Sequence, residues 1–541
     1  MAVFFHKYPL QIIFSLIVLI CGSTYLLTLA PDTSWGDSSE FILAVHSLGV
    51  PHPTGYPLYI ILGKIFTLII PLGSPAFKLN LLSAVFASFS IGIWYSCVWY
   101  WLSDGGKKES YIYHVSAASS GLILAWSSTF WSQSVITEVY TLAILFFVSI
   151  TWFCLKWWYT GSIFSLRWIL VLSGLALAHH LLVVFIFPGI AWIIYKGSKK
   201  HGKIPHLSNS LLLIPGLLFY LYLPMRANTD PILNWGSTQT LDGFITHISG
   251  GQFKLFTFSF LQGPLGPFIY LGKCITAAAL LEYKEFFIFS IFILIGIIRM
   301  WKQKSSPNVL ILSAPIFLTL FLRGYSVGDV FIFFIMVYCF TQMWLAQGIA
   351  LLLESLNKKI SKNLYILFCV VILLMPLIWL RSNFADIKNT NTDEVYKFGE
   401  FIMDQLPENS VILTDGDNQI YPLWYQKYVC GKRPDVSIIG ANFLSSPWYE
   451  PMLKREGIDA DLPSEIFPDE ESWLKAIHEK ILIPSHDLPI YSLQIFPFPP
   501  DRYKVSFQPV GRFKINYHNQ PDFYAKFLPT GYLFRVDMNG K

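Results

Sequence analysis

The sequence predicts a mainly α-helical, polytopic membrane protein of about eleven transmembrane helices with a soluble α/β domain at its C-terminal end. Three observations carry this. Charge is scarce over residues 1–383 and ordinary over 384–541; apolar runs of span length recur through the first part; and short buried-strand patterns replace them in the second.

The 541 residues are 54% hydrophobic and 17% aromatic but only 13% charged, against about 25% charged in an ordinary soluble protein. The segment after Asn383 holds 22 of the 34 acids and 16 of the 39 bases. Its charged fraction is therefore about 24%, and that of the preceding body about 9%. The net charge of +5 is the difference between a basic body and an acidic tail, with no basic, aromatic-interleaved stripe of the kind nucleic acid requires. The seven cysteines form no C-x-x-C pair and lie mostly in apolar segments, so neither a metal site nor a disulfide framework is expected.

An apolar run from Leu10 to Leu29 follows His6-Lys7 and has no small-residue cleavage site after it, which reads as an uncleaved signal-anchor. Further spans are expected at roughly 77–101, 112–130, 138–158, 166–179, 180–195, 207–224, 285–301, 307–323, 329–353 and 363–380. With the N-terminus in the cytoplasm, alternate loops place 15 of the body's 23 bases on the cytoplasmic side. Nine of its 12 acids fall on the opposite side, among them Asp37, Glu40, Glu138, Glu282, Glu285 and Asp329. An odd number of crossings puts the tail outside. The expected localisation is the cell (inner) membrane. Bases alone set orientation, so the outward bias of the acids calls for a second reason.

The first outer loop, residues 31–57, contains Gly36-Asp37-Ser38-Ser39-Glu40 and Pro51-His52-Pro53-Thr54-Gly55-Tyr56-Pro57. If Ser38 opens a helix, Asp37 sits near its N-cap and Glu40 in its first turn; a capping box is then one explanation of the two acids and catalysis the other. More polar residues fall at outer span ends: Glu138 before Tyr140, the pair His179-His180, Arg226, Asn234-Trp235-Gly236, His247 and Arg323. Ionisable groups at membrane depth are costly and suggest function, with snorkelling as the alternative for each. Arg226 and Arg323 can hold an anionic head group such as a lipid phosphate, and a carboxylate such as Asp37 can take a proton from an attacking hydroxyl.

Taken with Leu48-Gly49-Val50, Asn80-Leu81-Leu82-Ser83-Ala84, Glu138-Val139-Tyr140, Gly174-Leu175-Ala176, Leu223-Pro224-Met225-Arg226, Asn234-Trp235-Gly236 and the tail's Leu413-Thr414-Asp415-Gly416-Asp417-Asn418 and Arg433-Pro434-Asp435-Val436, these motifs resemble the domain-of-unknown-function 2723 family, which includes the protein O-mannosyltransferase of the transmembrane protein 260 type. The resemblance implies a GT-C type glycosyltransferase that uses a polyprenyl-phosphate sugar on the extracytoplasmic side. It implies an acidic base in the first outer loop, Asp37 with Glu40 as second candidate, and inversion at the sugar carbon. His52, Tyr56, Glu138, His179, His180, Arg226, Trp235 and Arg323 are the expected substrate-binding residues. Ser39, Thr54 and Lys78 stand where the family has Gly, a second Pro and Arg.

The expected function is transfer of mannose or another hexose to a protein hydroxyl or to a cell-envelope glycan or lipid. No cofactor is expected beyond the lipid-linked donor, and the partners are that donor, its acceptor and membrane lipids, with no nucleic acid. A flippase for a lipid-linked glycan is the alternative from another class, and a non-catalytic envelope assembly protein the third. Asp415-Gly416-Asp417 also has the form of a metal-chelating acid pair, although Asp-Gly after a strand is equally turn chemistry.

Overall fold

Helix α1 (Pro9–Leu27) runs for 19 residues, which at 1.5 Å per residue is about 28 Å, the thickness of a bilayer's hydrocarbon core. The computed structural model describes residues 9–108, 110–203, 206–251, 287–303, 305–322, 330–462, 467, 469–499, 502–515 and 529–538. After α1 come α2 (Ser38–Ser47), α3 (Pro57–Ile69), α4 (Pro75–Leu102), α5 (Tyr111–Ala125), α6 (Tyr140–Thr160), α7 (Ile163–Leu177) and α8 (Phe187–His201), the last entered through a 3-10 turn. A mixed 3-10 and α stretch spans Ser208–Ala227. Then follow α9 (Phe287–Gln303), α10 (Ser306–Leu322), α11 (Ile335–Leu356) and α12 (Lys362–Leu374).

A helix occupies each of the eleven expected spans. Among the described residues, seven helical stretches are long and apolar enough to cross a membrane, and three shorter apolar helices accompany them. One of those three, α3, was not expected, because 13 residues flanked by proline and glycine fall short of a span. Its Ile65, Leu68 and Ile69 are exposed, the apolar face of a helix suited to a membrane interface.

Small residues let the spans approach closely. Gly296 of α9 and Gly348 of α11 face each other's helix so tightly that a Cβ on Gly348 would lie 2.1 Å from the backbone oxygen of Phe292, and one on Gly296 1.9 Å from that of Trp344. Helix α4 starts at the Ser74 N-cap, whose hydroxyl accepts from Phe77 N, with Pro75 in the first turn.

Past residue 390 the chain changes character. Helix α13 (Glu394–Gln405) leads into a five-stranded sheet of order β2-β1-β3-β5-β4, built from β1 (Val411–Thr414), β2 (Ser437–Gly440), β3 (Ile490–Ser492), β4 (Val505–Arg512) and β5 (Tyr532–Met538). Strand β1 lies between β2 and β3, parallel to both and wholly buried, whereas β5 runs antiparallel to both β3 and β4. Strands β1 and β2 account for two of the short buried-strand patterns of the sequence. Between them, α14 (Asp417–Trp424) and the turn after it pack on α2 of the membrane part.

Candidate active site

The loop before α2 is fixed from two sides. From the membrane part, Asn80 of α4 donates through Nδ2 to the carbonyls of Ala30 and Asp32 at 2.8 and 2.9 Å, while its Oδ1 accepts from Thr137. From the C-terminal part, Asn391 donates to Thr28 O, Trp35 Nε1 donates to Glu394, and Asn418 Oδ1 accepts from Gly36 N at 2.7 Å. Gly36 has φ +80°, a conformation open mainly to glycine, and it delivers the chain into α2 at Asp37.

The capping explanation of the two acids fails on this geometry. Asp37 occupies the N-cap of α2 but makes no side-chain capping bond. Glu40 turns away from the helix start to His52: its Oε1 accepts from His52 N at 2.8 Å and its Oε2 lies 2.5 Å from His52 Nδ1. On the other side of the ring, His52 Nε2 is 3.8 Å from Asp37 Oδ2 and 3.3 Å from Tyr56 Oη. The Glu40 side chain is fully buried, that of His52 13% exposed and that of Asp37 32% exposed, so the open carboxylate of the pair is Asp37.

Burial pulls the His52 imidazole down, but Glu40, then Asp37, and the more distant Asp417 outweigh it and push the group up to about 10. His52 is therefore an imidazolium at neutral pH. The neighbouring histidines are its opposite: burial takes His179 down to about 4 and His180 to about 3. His247 is also pulled down to about 3, first by burial and then by the charge of His52.

Tyr56 carries the cluster onward. Its ring is 5.7 Å from His180 and 6.4 Å from His179, and His179 Nε2 donates to Val139 O, the residue after buried Glu138. Trp235 packs edge-on to His52 at 6.4 Å, because Val50 and Asn234 form a parallel bridge in which Val50 N donates to Leu233 O and Trp235 N to Val50 O. Seven of the expected residues, Asp37, Glu40, His52, Tyr56, His179, His180 and Trp235, thus converge, and Glu138 immediately precedes Val139, the partner of His179. Arg226 is placed differently. Its Nε and Nη2 donate to the carbonyls of Leu48 and Ser47, so the guanidinium closes the C-terminal end of α2, leaving less of it for a phosphate. Arg323, with Asp329, Glu282 and Glu285, lies outside the described residues.

Among the described residues, Asp37, Glu40 and His52 are the three metal-type donors that gather within 4.8 Å of one another and could hold an ion. In their present arrangement His52 Nδ1 is directed at Glu40, and Asp37 lies 3.8 Å from Nε2, beyond hydrogen-bond distance. Asp415 and Asp417 do not form a chelating pair of that kind. Asp415 Oδ2 accepts from Gln494 Nε2 at 2.8 Å and its backbone N donates to Gln419, so it organises the turn after β1.

Further residues line the site: His247, noted in the sequence but given no role there, and three from the C-terminal part that the sequence does not single out. His247 lies under Gly55 and Gly236, where a Cβ on Gly236 would come within 2.2 Å of His247 Nδ1. From the C-terminal part, Trp448 stacks on Trp235 at 4.1 Å and 23°, Phe443 meets Trp235 at 5.1 Å, and Arg455 donates to the carbonyls of Asp230 and Ile232. The Asp-Gly-Asp-Asn motif was the available signal for this side of the site, and turn chemistry explained it locally.

Comparison with known proteins follows the same division. The family model described as protein O-mannosyl-transferase TMEM260 N-terminal domain matches residues 37–203, and that described as TMEM260-associated domain 2 matches residues 395–488. The chain is 25% identical over 538 residues to the protein O-mannosyl-transferase tmem260 of Dictyostelium discoideum, covering 88% of this chain and 63% of the relative. It is 26% identical over 480 residues to the Mus musculus protein of that name, covering 83% and 64%. The chain thus spans a little under two thirds of the length of these relatives. In fold it is similar to ArnT from Cupriavidus metallidurans, solved bound to undecaprenyl phosphate (TM-score 0.53, 11% identity, 97% of this chain and 99% of that one) and in the apo state (TM-score 0.52, 12% identity, 98% of each).

Proposed function

From a chain that carries both TMEM260-type domains on the GT-C fold of ArnT, we propose a membrane glycosyltransferase that moves a hexose, mannose in the first instance, from a polyprenyl phosphate to a hydroxyl. The acceptor is a protein side chain or a glycan or lipid of the cell envelope, and the reaction takes place on the extracytoplasmic side. The names of the curated relatives support the mannosyl transfer. The lipid in the ArnT structure supports the donor class, and the outward bias of the acids supports the side.

The observation that carries the reading is the unequal pair of carboxylates. Glu40 is buried and engaged at both oxygens by His52, while Asp37 is partly open and faces the other edge of that ring. Asp37 is accordingly the general base and Glu40 the residue that orients His52. The acceptor hydroxyl gives its proton to Asp37 as its oxygen bonds to the anomeric carbon. The bond from that carbon to the phosphate oxygen breaks on the opposite face, polyprenyl phosphate departs with the bonding electrons, and the sugar carbon is inverted. His52, positively charged, orients the base from 3.8 Å.

The test is transfer of radiolabelled sugar from polyprenyl-phosphate mannose, then glucose, by the purified protein with cell-envelope extract, comparing wild type with Asp37→Asn. Label in a macromolecule, reduced about 10²-fold or more in the variant, is expected for loss of a general base. Equal transfer by both proteins removes Asp37 from the mechanism. No transfer from any lipid-linked sugar favours a flippase or a non-catalytic protein.

A further inference from the structure

We infer that Asn418, on the C-terminal α/β part, is a positioning residue for Asp37, so that the catalytic loop is completed by a side chain from the far end of the sequence. The inference builds on Asp37 as the base. Its ground is the peptide that leads into Gly36, the residue before Asp37. Gly36 N donates to Asn418 Oδ1 at 2.7 Å across 382 residues of sequence. At Gly36 a Cβ would meet nothing within 4 Å. On the other side the Asp37 carbonyl accepts from Phe41 N at 2.9 Å, while its side chain makes no capping bond to α2. The Asn418 amide holds the Trp35–Gly36 peptide, and Gly36 at φ +80° carries the chain from there into Asp37, so the contact acts on the direction in which the Asp37 carboxylate leaves the backbone.

The surroundings of Asn418 keep that amide in place. It stands in the first turn of α14, which packs on α2, while Trp35, one residue before Gly36, packs on Phe398 at 5.4 Å and donates to Glu394. Asp417, beside Asn418, adds its charge to those of Glu40 and Asp37 around His52. The charged groups facing the base are thus His52 and Glu40 from the membrane part and Asp417 from the C-terminal part. Displacement of a reacting group by about 1 Å costs up to about 10²-fold in rate, which gives one such hydrogen bond leverage on turnover.

The experiment compares the full-length wild type with Asn418→Ala, Asn418→Ser and Asn418→Asp in detergent or nanodiscs. It measures melting temperature, amide hydrogen exchange over residues 33–41, and kcat and KM with polyprenyl-phosphate mannose at pH 8. Alanine and serine withdraw the acceptor from Gly36, whereas aspartate keeps an oxygen in its place. The expected result is faster exchange over 33–41 and a kcat lowered about tenfold or more in the first two variants. Donor KM stays within about twofold and melting within a few degrees, and kcat is largely recovered in Asn418→Asp. Unchanged kcat in Asn418→Ala and Asn418→Ser, or an equal loss in all three variants, overturns the inference. Should wild type transfer no sugar, the transferase reading fails by itself; exchange over 33–41 then decides whether Asn418 holds the loop, faster exchange supporting this and unchanged exchange overturning it.

Discussion

Both oxygens of the buried Glu40 carboxylate are engaged by one residue, His52, through its backbone N–H at 2.8 Å and its Nδ1 at 2.5 Å. This anchor sets two acids three residues apart in unlike settings, Glu40 buried and engaged and Asp37 partly open.

Glu40→Gln tests the anchor. With Glu40 in place, His52 is pushed up to about 10 from an ordinary 6.5, so transfer should pass through pH 6.5 without an inflection from this group and fall near pH 10. Removing the Glu40 charge removes the first of the influences that raise it, and the alkaline fall should move to lower pH. A pH profile of kcat for both proteins reads this directly; superimposable profiles would detach His52 from the reaction.

Stability carries the same signature with a definite sign. Below pH 6.5 His52 binds its proton in the folded and the unfolded chain, and between 6.5 and about 10 chiefly in the folded one. The contribution is therefore full below 6.5 and is lost as pH rises toward 10. Melting of wild type should decline over that window more steeply than melting of His52→Gln.

The engagement of both Glu40 oxygens by His52 predicts metal-independent turnover. EDTA should leave transfer unchanged, as should added magnesium or manganese. Loss with EDTA and recovery with one divalent cation would instead assign Asp37, Glu40 and His52, whose donors lie within 4.8 Å, to an ion.

Trp448→Ala should loosen the junction between the two parts. The indole is buried and stacked on Trp235 at 4.1 Å, and truncating a buried tryptophan costs about 3–5 kcal/mol. A lower melting temperature with faster proteolysis at the junction is expected, and a melting curve identical to wild type would contradict it.

Much of this was legible in the sequence, and the reason is local. Span-length apolar runs and the short runs at β1 and β2 report structure built from neighbouring residues, and so did the helix opening at Ser38. The choice between capping and catalysis at Glu40 was not legible, because it turns on His52, twelve residues away and brought back by a loop. Nor was the role of Asp417 and Asn418. The same Asp-Gly sequence that ends β1 in a turn also presents Asn418 to Gly36, and a contact across 382 residues leaves no periodicity to read. Arg226 shows the converse: its side chain suits phosphate, yet nearby carbonyls at the end of α2 engage it.

The ties from Asn391, Glu394 and Asn418 to residues 28–36 also impose an order of events on biosynthesis. A ribosome delivers residues 28–36 to the membrane long before it makes their partners, so the nascent chain passes through insertion with its reactive loop unbraced. The loop is braced only after the last third of the chain has emerged and folded back.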